Sequence, residues 1–141
     1  MHALGFRDGF QWLDGSFCEQ LRRREPSDLD VATFFVPPPA VDLGAIAERH
    51  PHLFLPALSK ERYLCDAYFV ALHVGGLAEP RTVSYWYSLF SHRRHDLTWK
   101  GVLEVPLDPV DDAAAAEALN LASGALSPSA RTAWILSSSR T

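Results

Sequence analysis

Between Tyr63 and Leu72 the chain reads YLCDAYFVAL, a run whose only charge is Asp66. An apolar, partly aromatic stretch of this kind, with no polar alternation, predicts a strand covered on both faces. A carboxylate inside such a strand loses its hydration and is costly unless it meets a cation. A second run, LDVATFFV over Leu29–Val36, is β-branched and aromatic and is closed by Pro37, Pro38 and Pro39. It begins on a second anomaly, Asp28 and Asp30 on either side of Leu29. Two strands that carry acids where strands resist them constrain the fold more than any other feature of the chain.

The other segments fit around these strands. FQWLD, Phe10–Asp14, reads as a short strand ending at Gly15. Ser16 can cap a short helix, FCEQLRRR, with Glu19 three residues on as in a capping box, and Glu25-Pro26-Ser27 ends it. Asp42–Arg49 places Leu43, Ile46 and Ala47 at helical spacing. Gly75-Gly76 reads as a turn, and Thr82–Phe90 as a helix with Val83, Trp86, Tyr87 and Phe90 in one apolar stripe. Trp99–Leu107 predicts a further strand. Asp111–Ala122 is an alanine-rich helix with Asp111 and Asp112 at its positive end and Gly124 as its stop. Beyond Ser127 the residues are small and polar, and fraying is expected. Alternating strands and helices predict an α/β (α+β) class, with a mixed β-sheet and flanking helices. The 141 residues suit one domain, with a core over about residues 10–107 and a C-terminal helix over about 111–123.

A formal net charge of −4 argues against nucleic-acid binding through bulk electrostatics, although Arg22, Arg23 and Arg24 make a local basic patch. Cys18 and Cys65 form no CxxC pair and read as two buried, reduced thiols. His50 and His52, and His92 and His95, lack the spacing of a zinc site. Met1–Phe10 has no apolar h-region, and no apolar run approaches the roughly 20 residues of a membrane span, so a cytoplasmic protein without membrane contact is expected.

The chemistry concentrates on the acids. Alternation puts Asp28 and Asp30 on one face of their strand, with Cα atoms about 6–7 Å apart. Carboxylates that close repel one another unless a cation lies between them, and hard oxygen donors favour Mg²⁺ or Mn²⁺. If the strand carrying Asp66 lies beside that of Asp30, the three carboxylates can share one metal site, an arrangement suited to phosphoryl transfer. Gly15 and Ser16, at a strand-to-helix junction, suit a phosphate, because Gly permits close backbone approach and a helix N-terminus favours anions. Arg94 and Lys100, with Arg93, follow the aromatic helix and are candidates to reach nucleotide phosphates.

Trp12-Leu13-Asp14-Gly15-Ser16, Asp28-Leu29-Asp30 and Cys65-Asp66-Ala67 together resemble the DNA polymerase β-type nucleotidyltransferase superfamily. Its signature is an apolar strand ending in Gly-Ser, then Asp-x-Asp on the next strand and a third acid on a later one. WLDGSF, PSDLDVATFF, CDAYFV and YWYSLFSHRR…WKG are similar to a sparsely described bacterial family of such domains. The resemblance implies a nucleotidyltransferase-like fold and roles for single residues. Gly15 and Ser16 would contact the triphosphate, Asp28 and Asp30 would hold both metals, and Asp66 would bind the catalytic metal and activate the incoming hydroxyl. The implied reaction moves an NMP from an NTP to a hydroxyl acceptor on a protein, an RNA or a small molecule, with Mg²⁺ or Mn²⁺. So little chain precedes the Gly-Ser strand that the first helix of the fold is expected to be trimmed or supplied otherwise. The alternative expectation is a non-catalytic or regulatory partner module of a toxin–antitoxin or defence system, working with a protein partner or as a homo-oligomer.

Overall fold

The structure, a computed structural model, describes residues 1–15, 18, 29–73, 79–93 and 96–125. The expected helix after Ser16, with only Cys18 described, the turn at Gly75-Gly76 and the tail beyond Ser127 fall outside those residues. The chain divides into two compact units, Met1–Leu107 and Asp108–Thr141.

In the first unit, strands β1 (Gly9–Asp14), β2 (Leu29–Phe35), β3 (Cys65–Ala71) and β4 (Leu103–Pro106) form one mixed sheet in the order β3-β2-β1-β4. β1 is antiparallel to both β2 and β4, whereas β2 and β3 are parallel. A parallel pair needs a long crossover. Here it carries three short helices, α1 (Leu43–Arg49), α2 (Pro51–Phe54) and α3 (Pro56–Tyr63). Asp42 caps α1, accepting from the Ala45 N–H at 3.1 Å. α4 (Pro80–Phe90) follows β3.

Strand alternation splits the side chains between two layers. On one face Ala32 and Phe34 of β2 are buried with Trp86 and Phe90 of α4, and Phe10, Trp12, Tyr68 and Val70 pack around them. The rings of Phe10, Trp12 and Phe34 pack as a triangle, with Phe34 4.9 Å from Phe10 and 4.8 Å from Trp12, and those two 5.7 Å apart. On the other face Phe6, Phe35 and Leu107 form a second core, against Leu43, Ile46, Phe54 and Phe69.

The structure departs from the sequence reading at several places. Tyr63 ends α3 rather than opening β3, and Leu64 makes the junction in the left-handed region at φ 56°. β3 is an edge strand of the described sheet and is half-buried, not fully covered, because no strand lies beyond it. On α4, Trp86 and Phe90 face the core, while Val83 and Tyr87 lie exposed at the rim and Leu89 packs inward instead. The strand expected over Trp99–Leu107 narrows to β4, with Trp99 making only an isolated bridge to His92.

In the second unit Asp108 caps a 3-10 turn at Pro109–Asp111, accepting from the Val110 N–H at 2.9 Å. α5 (Asp112–Ala125) then runs through Gly124 instead of stopping before it. Glycine costs about 1 kcal/mol inside a helix, which alanine-rich surroundings can offset.

Candidate functional site

The ladders bring three acids into one row. Asp14 is the last residue of β1, Asp30 the second of β2 and Asp66 the second of β3. The register pairs Asp14 with Asp30, and Asp30 with Asp66. Paired residues share a face, so all three carboxylates emerge on the α4 side of the sheet, with neighbouring Cα atoms about 4.5–5.5 Å apart. This end of the sheet collects them because β1 runs against β2 and β3, so its C-terminus meets their N-termini.

The three acids have different surroundings. Asp14 is buried. Lys100 Nζ donates to its Oδ2 at 2.9 Å and stands 2.7 Å from its Oδ1, and the lysine side chain is itself only 12% exposed. The backbone aims this lysine: the Lys100 N–H donates to the Ser91 carbonyl at 2.7 Å, tying it to the end of α4. Asp66 accepts from Lys60 of α3 at 3.5 Å, a long contact to a half-exposed ammonium that adds little stability.

Gly15 is built around Asp30. Its φ is +85°, and a Cβ there would lie 2.6 Å from Asp30 Oδ2 and 3.3 Å from its Cγ. The described contact of this glycine is thus with a carboxylate of the row, a constraint separate from the triphosphate contact that the resemblance implies. Only a residue without a side chain lets the chain leave β1 at that angle and the acid occupy that space.

Asp66 is held from behind by Ser59 of α3, which is fully buried. The Ser59 hydroxyl lies 2.8 Å from the Cys65 carbonyl and 3.0 Å from that of Pro56, and it accepts from the Ala67 N–H at 3.3 Å. It thereby satisfies the outward backbone groups on both sides of Asp66. Two residues beyond Asp66, Tyr68 stands on the same face of β3. Burial pushes the Tyr68 phenol above its ordinary pKa, and the charges of Asp66 and Asp30 push it further.

Of the residues singled out by sequence, Asp30, Asp66 and Gly15 are brought together, and Lys100 joins them through Asp14. Asp28, Ser16 and Arg94 lie outside the described residues. Asp14, Ser59, Lys60 and Tyr68 were not among the residues singled out. Tyr68 had a signal, since it falls two residues from Asp66 on the same face of its strand. The oxygens of Asp30 and Asp66 are donors of the kind Mg²⁺ and Mn²⁺ take. Among the described residues no group of three or more His, Cys, Asp and Glu is arranged to hold a metal ion, and Asp14 is committed to Lys100. A cleft of about 410 Å³ lined by Tyr85, Ser88, Leu89, His92, Arg93 and Leu97 includes none of the three acids.

Among the described residues no helix is long and apolar enough to cross a membrane. No curated protein and no solved structure matches the chain. A family model matches residues 1–106, a span that holds all four strands and the whole carboxylate row, and the chain therefore belongs to that family of unknown function, DUF6932.

Proposed function

We propose that the domain is a metal-dependent, cytoplasmic nucleotidyltransferase that moves an NMP from an NTP, ATP included, to a hydroxyl of a protein, an RNA or a small molecule. One observation carries this reading. Asp30 and Asp66 occupy paired positions on adjacent parallel strands, facing the same way, with Gly15 packed against Asp30. Acids so placed have little use in a fold that needs only stability, since like charges side by side are destabilising.

In this reading the oxygens of Asp30 and Asp66, with Asp28 before them on the chain, hold the cation. Bound Mg²⁺ or Mn²⁺ would neutralise the triphosphate and lower the pKa of the acceptor hydroxyl. Asp66 receives the hydroxyl proton as the acceptor oxygen attacks the α-phosphorus. The bond from that phosphorus to the bridging oxygen breaks, and pyrophosphate leaves. Gly15 and Ser16 offer backbone N–H groups to the phosphates, and Arg94 adds positive charge. Lys100, neutralised in part by Asp14, supports the acid row and offsets its charge.

A second reading, a regulatory partner module of a toxin–antitoxin or defence pair, is favoured by a different observation. Leu97, Trp99, Leu103 and Val105 are all exposed on β4 and the segment before it. An apolar patch of this kind suits a protein partner or a second copy.

The test follows label from α-phosphate-labelled NTPs into protein, RNA or small-molecule acceptors, with Mg²⁺ or Mn²⁺. The wild type is expected to transfer label, and Asp30→Ala to lose metal-dependent transfer while keeping its fold. Undiminished transfer by Asp30→Ala would overturn the assignment.

A further inference from the structure

Two lysines flank the acid row, and they are held in different ways. At the β1 end Lys100 is almost wholly buried and stands close to both oxygens of Asp14. At the β3 end Lys60 reaches Asp66 from α3. That helix lies along the open edge of β3, fastened by the bonds of Ser59 to the Cys65 carbonyl and the Ala67 N–H. The root of Lys60 is fixed too, because its carbonyl accepts from the Leu64 N–H at 3.0 Å, at the turn into β3. Its head is looser. The Lys60 side chain is 49% exposed, and its ammonium stands 3.5 Å from an oxygen of Asp66, whose side chain is 23% exposed. A contact of that length, open to water, is weak and exchangeable.

We propose that Lys60 is an exchangeable counter-ion of the site: its ammonium neutralises Asp66 while no metal is bound, and turns to the polyphosphate once a divalent cation takes the carboxylate. This rests on the nucleotidyltransferase reading above, and gives the phosphates a binding residue that the resemblance does not assign. Charge drives the exchange. A divalent cation on Asp66 and an ammonium beside the same oxygen are like charges a few ångströms apart, so the metal expels the lysine. A flexible four-carbon stem with a fixed root lets the head move without leaving the site. A polyphosphate arriving with the metal is the strongest attraction within reach, and lysine binds it as a point charge. Lys100 is unsuited to the same move, because its departure would leave Asp14 buried and uncompensated.

The experiment titrates the full chain with Mn²⁺ alone, following water-proton relaxation, and then adds inorganic triphosphate to the Mn²⁺-saturated chain. The proteins are wild type, Lys60→Met, Lys60→Arg and Arg62→Met, and the metal-free unfolding temperature of each is recorded. Arg62 stands on the same helix with its guanidinium 5.6 Å from the Tyr63 ring centre, and controls for the loss of one charge. Lys60→Met is expected to bind Mn²⁺ about three- to tenfold more tightly, because the competing ammonium is gone. Its Mn²⁺-loaded form is expected to bind triphosphate about three- to tenfold more weakly. Lys60→Arg and Arg62→Met should stay near wild type in both, and all four should unfold at similar temperatures without metal. Any outcome for Lys60→Met other than these opposite shifts would overturn the exchange and leave the metal site standing. Equal shifts in Arg62→Met would also overturn it, by tracing them to overall charge. So would a large fall in the metal-free unfolding temperature of Lys60→Met, by showing that the pair serves the fold. A folded wild type that binds no Mn²⁺ would overturn the metal site and the exchange together.

Discussion

Lys100 closes on Asp14 across 86 residues of chain, donating to one carboxylate oxygen at 2.9 Å and standing 2.7 Å from the other, with both side chains almost wholly buried. The pair fastens the segment after α4 to the end of β1, beside the two acids of β2 and β3. A buried pair of this kind contributes little net stability, yet removing one partner leaves a charge with no compensation. Lys100→Met is therefore expected to destabilise the domain by about 3–5 kcal/mol in urea unfolding. The double variant Asp14→Leu/Lys100→Met should recover most of that loss. A double variant as unstable as the single would show that the lysine acts through something other than Asp14.

Gly15 supports a second expectation, which separates backbone from site. The left-handed φ alone should make Gly15→Ala cost about 1–2 kcal/mol. The new Cβ would meet the far end of the Asp30 side chain rather than backbone, so the acid, not the sheet, should yield. Mn²⁺ binding should then fall by more than the stability loss explains. The comparison is between metal affinity and metal-free unfolding in one variant, and unchanged affinity would mean that Asp30 has room to keep its place.

How much of this was legible in the sequence depended on whether a residue contradicted its surroundings. Asp66 stood out because the rest of its run is apolar, and Asp30 because it opens a β-branched strand. The structure places the two as register partners, which no reading of one strand could show. Asp14 was not legible as part of the row, because an acid at a strand end before glycine is unremarkable until the antiparallel pairing is known. α2 and α3 have no counterpart in the sequence reading; each begins on a proline, Pro51 or Pro56, which stands in the first turn, where a missing N–H costs nothing. Tyr63 was read as strand because it is aromatic and adjoins one. The left-handed Leu64, which turns α3 directly into β3, has no signature in a leucine.

Ser59 yields a third expectation. Its hydroxyl is the described partner of the Ala67 N–H and the Cys65 carbonyl on the open edge of β3. Ser59→Ala leaves those groups unsatisfied in a buried place and should cost about 1–3 kcal/mol. Hydrogen exchange at the Ala67 amide should accelerate more than exchange within β1, because the loss is local to the β3 edge. Uniform acceleration across the sheet would argue instead that the serine acts only on global stability.

In the proposed function Asp30 and Asp66 form a site for a cation and a nucleotide. A compound that binds only the folded chain raises its unfolding temperature by an amount set by its concentration relative to Kd. The most direct measurement is the unfolding temperature of wild type and Asp30→Ala with each of the four NTPs, with and without Mg²⁺ or Mn²⁺. A metal-dependent rise with at least one NTP in the wild type, absent in Asp30→Ala, is the predicted result. No rise with any pair, or the same rise in both proteins, would contradict the claim.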